Sequence, residues 1–210
     1  MSDTETGRVP EGAGEHVRPI TESDWPRIAR LEAEAYAGTA LTEGETALRA
    51  HAAHPTSFVL ETDGRITGYV LTLPYPRFRC PELGAGAHGR GVRGAGESAG
   101  YAGGTGDLGA AGGLGVPEAG GNLHLHDLVV SAPLRRRGRG SALVAHLTRA
   151  AGDLGHTTIS LVALAGRERF WRANGYQPHP GTPLPAGYGP GAVYMSVRVA
   201  VPEKKEAVRA

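Results

Sequence analysis

The residues best suited to chemistry lie in one turn, Arg135-Arg136-Arg137-Gly138-Arg139-Gly140-Ser141, between a strand-like and a helix-like stretch. A helix N-terminus leaves backbone N–H groups without intrahelical partners, and together with the helix dipole they favour an anion. Glycine lets the backbone approach a phosphate because it has no Cβ atom. The turn lacks the Gly-Lys-Ser/Thr of a P-loop and the third glycine of a dinucleotide fingerprint. It is therefore predicted to bind a pyrophosphate, with a solvated basic turn or a nucleic-acid patch as the alternatives.

Histidines are the second group of chemically capable residues. His124 and His126 lie two apart on the strand that precedes the turn, so alternation places both imidazoles on one face, a geometry that is possible for a metal. His146 and His156 follow later in the chain. No carboxylate or thiol at suitable spacing completes a ligand set, so no metal site is predicted.

Length, charge and cysteine content restrict the kind of protein. A chain of 210 residues suits one domain of ordinary size. A net charge of +1 provides no general basic field, so no nucleic-acid partner is predicted. The single cysteine, Cys80, excludes a disulfide within the chain. Because the start is polar and acidic and no apolar run is long enough to cross a membrane, we expect a cytoplasmic protein without membrane contact.

The elements that position these residues are predicted from hydrophobic spacing. Thr21 to Asp24 resembles a capping box, which begins a first helix, and Asp63-Gly64 is typical of a hairpin turn. Predicted strands cover residues 17–20, 57–62, 66–73, 123–130, 157–162 and 192–199; further helices cover 42–53, the arginine turn to about 152, and 168–173. Strands and helices in this order predict an α/β protein.

A glycine-rich stretch interrupts this order. About half of the 33 glycines lie between roughly Cys80 and Gly121, a composition that buries too little surface to offset its ordering entropy. We therefore predict a flexible insertion over about 80–121 within a single domain of residues 16–200. A disordered leader over 1–15 and a charged tail over 201–210 complete the predicted organisation.

Two segments also match known motifs. Residues Arg135 to Gly140 fit Arg/Gln-x-x-Gly-x-Gly/Ala, which resembles the acyl-CoA pyrophosphate loop of the GNAT superfamily of N-acetyltransferases. The segment from Phe170 to Tyr176 is similar to the Phe-Tyr-x-x-x-Gly-Phe segment after the fifth GNAT strand. Four segments that follow one another along the chain also resemble the motifs of a bacterial and fungal GNAT subgroup. These segments are His126 to Val130, Ser160 to Ala163, Phe170-Trp171 and Tyr188 to Met195. The resemblance covers residues 122–198 and, more weakly, 16–80.

This resemblance implies a fold and a cofactor site. A GNAT fold has a mixed, mostly antiparallel central sheet flanked by helices and splayed between its fourth and fifth strands, with acetyl-CoA in the gap. The backbone of Leu128 and Val130 would then bind the pantetheine arm, and an N–H near Leu128 would be the oxyanion donor. The residues expected to contact acetyl-CoA are Leu128, Val129, Val130, Arg135, Arg136, Arg137, Gly138, Arg139, Gly140, Ser141, Phe170 and Trp171.

Acetyl transfer to an amine needs a base for the ammonium proton and a proton for the departing thiolate. His126 is the candidate base, acting directly or through water, and Asp127 would orient a partner or bind a cationic acceptor. Alternation predicts these two side chains on opposite faces, and a structural His–Asp pair is the alternative. GNAT enzymes often have a tyrosine acid where Trp171 stands, but indole is not a usable acid. Tyr188 or Tyr176 would replace it, unless the thiolate leaves unassisted.

The resemblance implies an acetyl-CoA-dependent N-acetyltransferase that acts on a primary amine of a small molecule. The loops around Tyr75 and from His179 to Gly191 are bulky enough to close the acceptor cleft. The alternatives are an acetyltransferase directed at proteins and a non-catalytic acyl-CoA-binding regulator. A homodimer is a possible assembly, because GNAT enzymes are often dimers. One departure from the family is the missing Asn before the short helix, where Leu164-Ala165 stand.

Overall fold

Seven strands and four α-helices make up the part of the chain described by the computed structural model, residues 14–52, 55–83 and 121–202. Their bounds are β1 Glu15–Pro19, α1 Trp25–Ala35, α2 Glu45–Ala50, β2 Phe58–Thr62, β3 Arg65–Pro74, β4 Asn122–Val130, α3 Arg139–Asp153, β5 Thr158–Ala163, α4 Glu168–Ala173, β6 Gln177–Pro178 and β7 Val193–Arg198. Short 3₁₀ turns lie at Glu22–Asp24, Ala132–Leu134 and Ala186–Tyr188. No helix among these has both the length and the apolar character to cross a membrane.

The strands form one sheet in the order β1-β2-β3-β4-β5-β7-β6. Every neighbouring pair is antiparallel except β4 and β5, which are parallel. Leu143 and Leu147 of α3 pack in an apolar cluster on one face of the sheet, which we call the α3 cluster. Ile28 and Leu31 of α1 pack in a second apolar cluster on the other face. The predicted mixed, mostly antiparallel α/β sheet with flanking helices is confirmed.

A gap opens between β4 and β5. The two strands pair only at Asn122↔Thr158, Leu123↔Ile159 and His124↔Ser160, although β4 continues to Val130 and β5 to Ala163. Beyond His124 the backbone of β4 therefore no longer pairs with β5. The predicted splay between the fourth and fifth strands is confirmed, and it begins at His124.

A β-bulge lies in β4 immediately beyond this point. Leu71 of β3 pairs with Asp127 and Thr72 pairs with Leu125, which leaves His126 as the extra residue. A bulge shifts the alternation of side chains by one residue. Before it Leu125 packs in the α3 cluster, and after it Leu128 packs there.

The bulge turns Asp127 toward the face that α1 covers, where its carboxylate accepts a hydrogen bond from Tyr36 at the end of α1. His126 contacts Glu43 and His51, which flank α2 on that same side of the sheet. The prediction that His126 and Asp127 lie on opposite faces is therefore wrong. Strict alternation holds only for a regular strand, and this strand carries an extra residue.

Most predicted elements are present with small shifts of their ends. Asp63 and Gly64 have φ of +51° and +70°, as the predicted hairpin turn requires. Helix α2 is shorter than predicted because Gly44, with φ +81°, precedes it. Residues 84–120 lie outside the described residues, so the flexible insertion stays a prediction; Cys80 and Pro81 at its predicted start are buried. Residues 1–13 and 203–210, most of the predicted leader and tail, also lie outside.

Candidate active site

The arginine turn joins the end of β4 to α3. Arg136 and Gly138 have positive φ of 60° and 79°, which reverses the backbone before the helix begins at Arg139. The Ala142 N–H donates to the Gly138 carbonyl at 2.9 Å. The preceding amides, including those of Gly140 and Ser141, have no intrahelical acceptor and remain available to an anion. These amides lie where the sequence predicts a pyrophosphate, and its binding stays a prediction.

The four arginines of the turn have different roles. Arg135 donates from Nε to the Val130 carbonyl at 2.8 Å, and Arg139 donates to the Arg137 carbonyl at 2.9 Å. Arg139 also pairs with Glu15 of β1 at 2.8 Å. Two of the four arginines therefore hold the turn in shape, and one of them occupies the Val130 carbonyl.

A cleft of about 600 Å³ lies beside the turn. Arg136, Arg167, Arg169 and Phe170 line it, so three basic residues and one aromatic residue share the cleft. A Cβ atom added at Gly140 would lie 3.2 Å from Phe170 Cζ, which means that the ring packs directly on the helix backbone. The predicted contact residue Phe170 is therefore adjacent to the turn. Arg167 and Arg169 were not singled out from the sequence.

The aromatic candidates for the acid role are engaged elsewhere. Trp171 is buried in the α3 cluster and makes edge contacts with Phe170 and Tyr176 at centroid distances of 4.8 and 5.3 Å. Tyr188 is buried and donates from its hydroxyl to the Pro81 carbonyl at 2.8 Å. Burial raises the pKa of both the Tyr176 and Tyr188 hydroxyls above the ordinary tyrosine value. Neither tyrosine is thus arranged to release a proton readily.

His126 forms the centre of a buried polar cluster with Glu43 and His51, which we call the His–Glu cluster. His126 Nε2 lies 2.6 Å from Glu43 Oε2, and His51 Nδ1 lies 3.8 Å from Glu43 Oε1. The imidazole rings of His51 and His126 are 3.8 Å apart between centroids. The side chains of His126, Glu43 and His51 are only 1%, 6% and 6% exposed. Burial, reinforced by His126, lowers the pKa of His51 to about 4, so His51 is neutral near pH 7.

Three elements bring this cluster together. The bulge in β4 directs His126 toward the helices, His51 is the C-cap residue of α2, and Glu43 lies in the segment between α1 and α2. The backbone N–H of Glu43 donates to Glu32 of α1, which fixes that segment. A single loop anchored to α1 therefore supplies the carboxylate.

Asp127 occupies a separate hydrogen-bond network. Tyr36 donates to its Oδ1 at 2.6 Å and Tyr69 donates to its Oδ2. Burial raises the pKa of the Asp127 carboxyl, and the two tyrosine hydroxyls oppose this rise. Both carboxylate oxygens are thus engaged, and Asp127 ties the end of α1 to β3 and β4. Asp127 therefore has structural contacts, but they are to two tyrosines and not to the histidine of the His–Asp pair stated as the alternative.

His124 lies at the branch point of the splayed strands. Its Nδ1 is 3.0 Å from the Ser160 hydroxyl, which also accepts a hydrogen bond from Asn122 at 2.8 Å. Burial lowers the pKa of His124 to about 3, with His126 adding a smaller effect. A neutral imidazole that joins the last paired residues of two strands has a structural role.

The structure corrects the sequence argument about metals. That argument found no carboxylate to complete a ligand set, yet Glu43 meets His51 and His126 with potential ligand atoms within 4.8 Å of one another. Glu43 is 83 residues from His126 along the chain, so no spacing rule could find it. Tyr69 and His51 were also missed as partners of the predicted site residues.

Comparison with known families gives a match over most of the chain. The model described as the Acetyltransferase (GNAT) family matches residues 25–176. No curated protein matches the sequence.

Several solved structures share the fold at low sequence identity. The loading GNATL domain of CurA from Lyngbya majuscula has a TM-score of 0.62 and 14% identity, over 88% of this chain and 97% of that one. The ribosomal-protein-S18-alanine N-acetyltransferase from Escherichia coli has a TM-score of 0.54 and 14% identity, over 93% and 99%. For the N-acetylglutamate synthase from Neisseria gonorrhoeae, complexed with coenzyme A and N-acetyl-glutamate, the values are 0.58 and 17% over 90% of this chain. This chain spans only 36% of that synthase.

Proposed function

Because this chain belongs to the acetyltransferase (GNAT) family, we propose that it transfers the acetyl group of acetyl-CoA to a primary amine of a small molecule. Members of this family are acetyl-CoA-dependent N-acetyltransferases, so the chain is an acyltransferase. The proposed reaction is a direct attack of the amine on the thioester. The observation that carries the proposal is the imidazole of His126, held by Glu43 at 2.6 Å in the strand where the sheet splays.

The arginine turn and the splayed strand suit acetyl-CoA, which supplies the activated acetyl thioester. The amides of Arg136 to Ser141 would hold the pyrophosphate, and at Gly140 a side chain would press on the ring of Phe170. Arg136 and Arg137 add positive charge, together with Arg167 and Arg169 across the cleft. Leu128, Val129 and Val130 belong to the part of β4 that β5 does not pair, so their backbone is proposed to contact the pantetheine arm.

His126 is the proposed general base. A carboxylate accepts hydrogen bonds only, so Glu43 favours the tautomer in which His126 Nε2 carries the proton. The lone pair then lies on Nδ1, which has no hydrogen-bond partner among residues 14–52, 55–83 and 121–202. In the proposed step the ammonium proton moves to Nδ1, directly or through a water molecule, and Glu43 stabilises the resulting imidazolium.

The other predicted catalytic residues take positioning roles in this proposal. Asp127 holds Tyr36 and Tyr69, and through them the end of α1 beside the His–Glu cluster. The hydroxyl of Tyr188 joins the loop before β7 to Pro81 rather than acting on the reacting atoms. The thiolate is then proposed to leave without an acid, since its free pKa is modest.

A small acceptor is favoured by the enclosure of the site. Tyr188 binds Pro81, and Tyr194 of β7 accepts a hydrogen bond from the Phe78 amide at 2.9 Å. The segment after β3 is thus attached at two points to the region around β7, the closure expected from the loops near Tyr75 and residues 179–191. Buried carboxylates at Glu32 and Glu43 also suit a cationic amine.

The test is acetyl-CoA turnover, measured as release of free thiol with a panel of small amines and peptides. The wild type is compared with His126→Ala and with His16→Ala, an exposed histidine on β1 as control, while CoA binding is measured by calorimetry. We expect turnover on a small amine that falls at least 100-fold in His126→Ala only, with CoA binding retained. Unchanged turnover would exclude His126 as the base, and turnover confined to peptides would favour the protein-directed alternative. CoA binding without any turnover would favour the regulator.

A further inference from the structure

The His–Glu cluster has the donor atoms of a metal site, in addition to the imidazole of the proposed general base. Its three side chains offer two imidazoles and one carboxylate, with one ligand atom of each lying within 4.8 Å of the others. They come from a strand, a helix end and a loop, so the fold assembles the set without any local motif. Two histidines and one glutamate are a known three-ligand set for zinc that leaves a fourth position open.

His51 has a buried ring nitrogen that a metal ion could bind. The residue is 95% buried, since its exposed fraction is 5%, and its Nδ1 has no hydrogen-bond partner in the described part of the chain. The nearest carboxylate oxygen, Glu43 Oε1, is 3.8 Å away, which is too far for a hydrogen bond. A buried polar atom without a partner costs free energy, and an ion bound to His51 Nδ1 would satisfy this atom.

We propose that Glu43, His51 and His126 bind one divalent transition-metal ion, with zinc as the best match. The ligand atoms are His51 Nδ1, His126 Nε2 and a carboxylate oxygen of Glu43. Magnesium and calcium require oxygen ligands, whereas imidazole suits zinc and its neighbours in the first transition row. Binding of the ion does not depend on the proposed acetyltransferase reaction.

The two contacts of Glu43 lie on either side of the spacing that a tetrahedral ion needs. Two ligands on one zinc ion, each about 2.0–2.1 Å from the metal, are about 3.3 Å apart. The contact of 2.6 Å between His126 and Glu43 must widen and the 3.8 Å between His51 and Glu43 must shorten. A small rotation of the Glu43 carboxylate toward His51 changes both distances in the required direction. The ion takes the place of the proton on His126 Nε2, and that proton moves to Nδ1 of the same ring.

A bound ion has a consequence for the proposed function, and this part of the inference rests on that proposal. With the metal on Nε2, a neutral His126 carries its remaining proton on Nδ1. Nδ1 then has no lone pair with which to accept the ammonium proton. Zinc is therefore expected to inhibit acetyl transfer, and a chelator is expected to restore it.

The experiment measures metal binding directly. Zinc chloride is titrated into the metal-free full-length protein by calorimetry, and cobalt(II) is added in parallel to record visible absorption. We expect one ion per chain and the intense cobalt bands of four-coordinate geometry. His51→Gln and Glu43→Gln should each weaken zinc binding at least 10-fold, whereas His16→Ala, an exposed control, should not.

Each outcome decides the proposal. No binding to the wild type, or equal binding to wild type, His51→Gln and Glu43→Gln, would overturn it, as would weak octahedral cobalt bands. Circular dichroism of every variant identifies any that fails to fold, and the wild-type cobalt spectrum remains decisive in that case. Zinc binding by a protein that, in its metal-free form, acetylates none of the amines would support the metal site and reject the enzymatic proposal. Turnover that zinc does not inhibit would reject the inhibitory consequence only.

Discussion

His126 Nε2 and Glu43 Oε2 lie 2.6 Å apart, although 83 residues separate them along the chain. The contact exists because a bulge in β4 directs His126 toward the α1–α2 side, where the Glu43 segment is anchored by Glu32. A histidine whose tautomer is fixed by a buried carboxylate is suited to proton transfer. The same two side chains are two of the three proposed metal ligands.

Replacing Glu43 tests its role toward His126. Glu43→Gln keeps the volume but removes the charge that stabilises a protonated His126, so we expect kcat to fall by about 10²–10³. The KM for acetyl-CoA should stay within about twofold, because Glu43 is not among the residues proposed to contact acetyl-CoA. Steady-state kinetics at saturating amine measure both values. Glu45→Gln, whose carboxylate pairs with Arg49 at the start of α2, is the matched control. Equal losses in the two variants would show that the effect is structural.

Removing one tyrosine hydroxyl tests the Asp127 network. Tyr69→Phe leaves one oxygen of the buried carboxylate without its donor, which should lower the free energy of unfolding by about 1.5–3 kcal/mol. Urea unfolding followed by circular dichroism measures this loss. Tyr75→Phe, at a half-buried tyrosine, should change stability by less than about 0.5 kcal/mol. A Tyr69→Phe protein as stable as wild type would mean that Asp127 is protonated and neutral, so that losing one donor costs little.

A methyl group at Gly140 tests the cofactor site. Gly140→Ala places a Cβ atom 3.2 Å from Phe170 Cζ, so the ring must move within the proposed pyrophosphate site. We expect the dissociation constant for CoA, measured by calorimetry, to rise about tenfold, or by about 1.4 kcal/mol. Gly181→Ala is the control, because a Cβ atom there meets nothing within 4 Å. Unchanged CoA affinity in Gly140→Ala would remove this turn from the proposed site.

Acid should destabilise the protein through the pair of Arg18 and Asp24. Two hydrogen bonds from Arg18, at 2.7 and 2.9 Å, lower the pKa of Asp24 from 3.8 to about 2. A pKa lower in the folded state stabilises the fold above the unfolded value, and this stability disappears as the pH falls from about 4 to 2. The expected loss is on the order of 2 kcal/mol.

Urea unfolding across this pH range measures that loss. Asp24→Asn should be less stable at pH 7 and should lose less stability on acidification than the wild type does. Asp153→Asn, at an exposed aspartate near the end of α3, should follow the wild-type profile. If the free energy of unfolding falls with pH as steeply in Asp24→Asn as in the wild type, groups other than Asp24 cause the acid sensitivity.

The sequence alone was sufficient to predict features that depend on residues adjacent along the chain. Asp63-Gly64 adopts the backbone angles of its predicted turn, and the short helix α4 spans Glu168–Ala173 as predicted. The free amides of the arginine turn follow from a glycine-containing reversal into a helix. Hydrophobic period, turn chemistry and helix ends are local properties, so they can be read without knowing what packs against them.

Only the tertiary structure decided which side chains meet. The face on which His126 and Asp127 lie depends on a bulge, and a bulge is defined by the partner strand rather than by the sequence of one strand. Arg135 and Arg139 have the same charge as Arg136 but hold the turn, because their acceptors are the carbonyls of Val130 and Arg137. The sequence supplied the imidazole of His126 and the order of the elements. Burial of α1 and α2 against the sheet supplied Glu43 and His51, since packing joins residues that the chain keeps far apart.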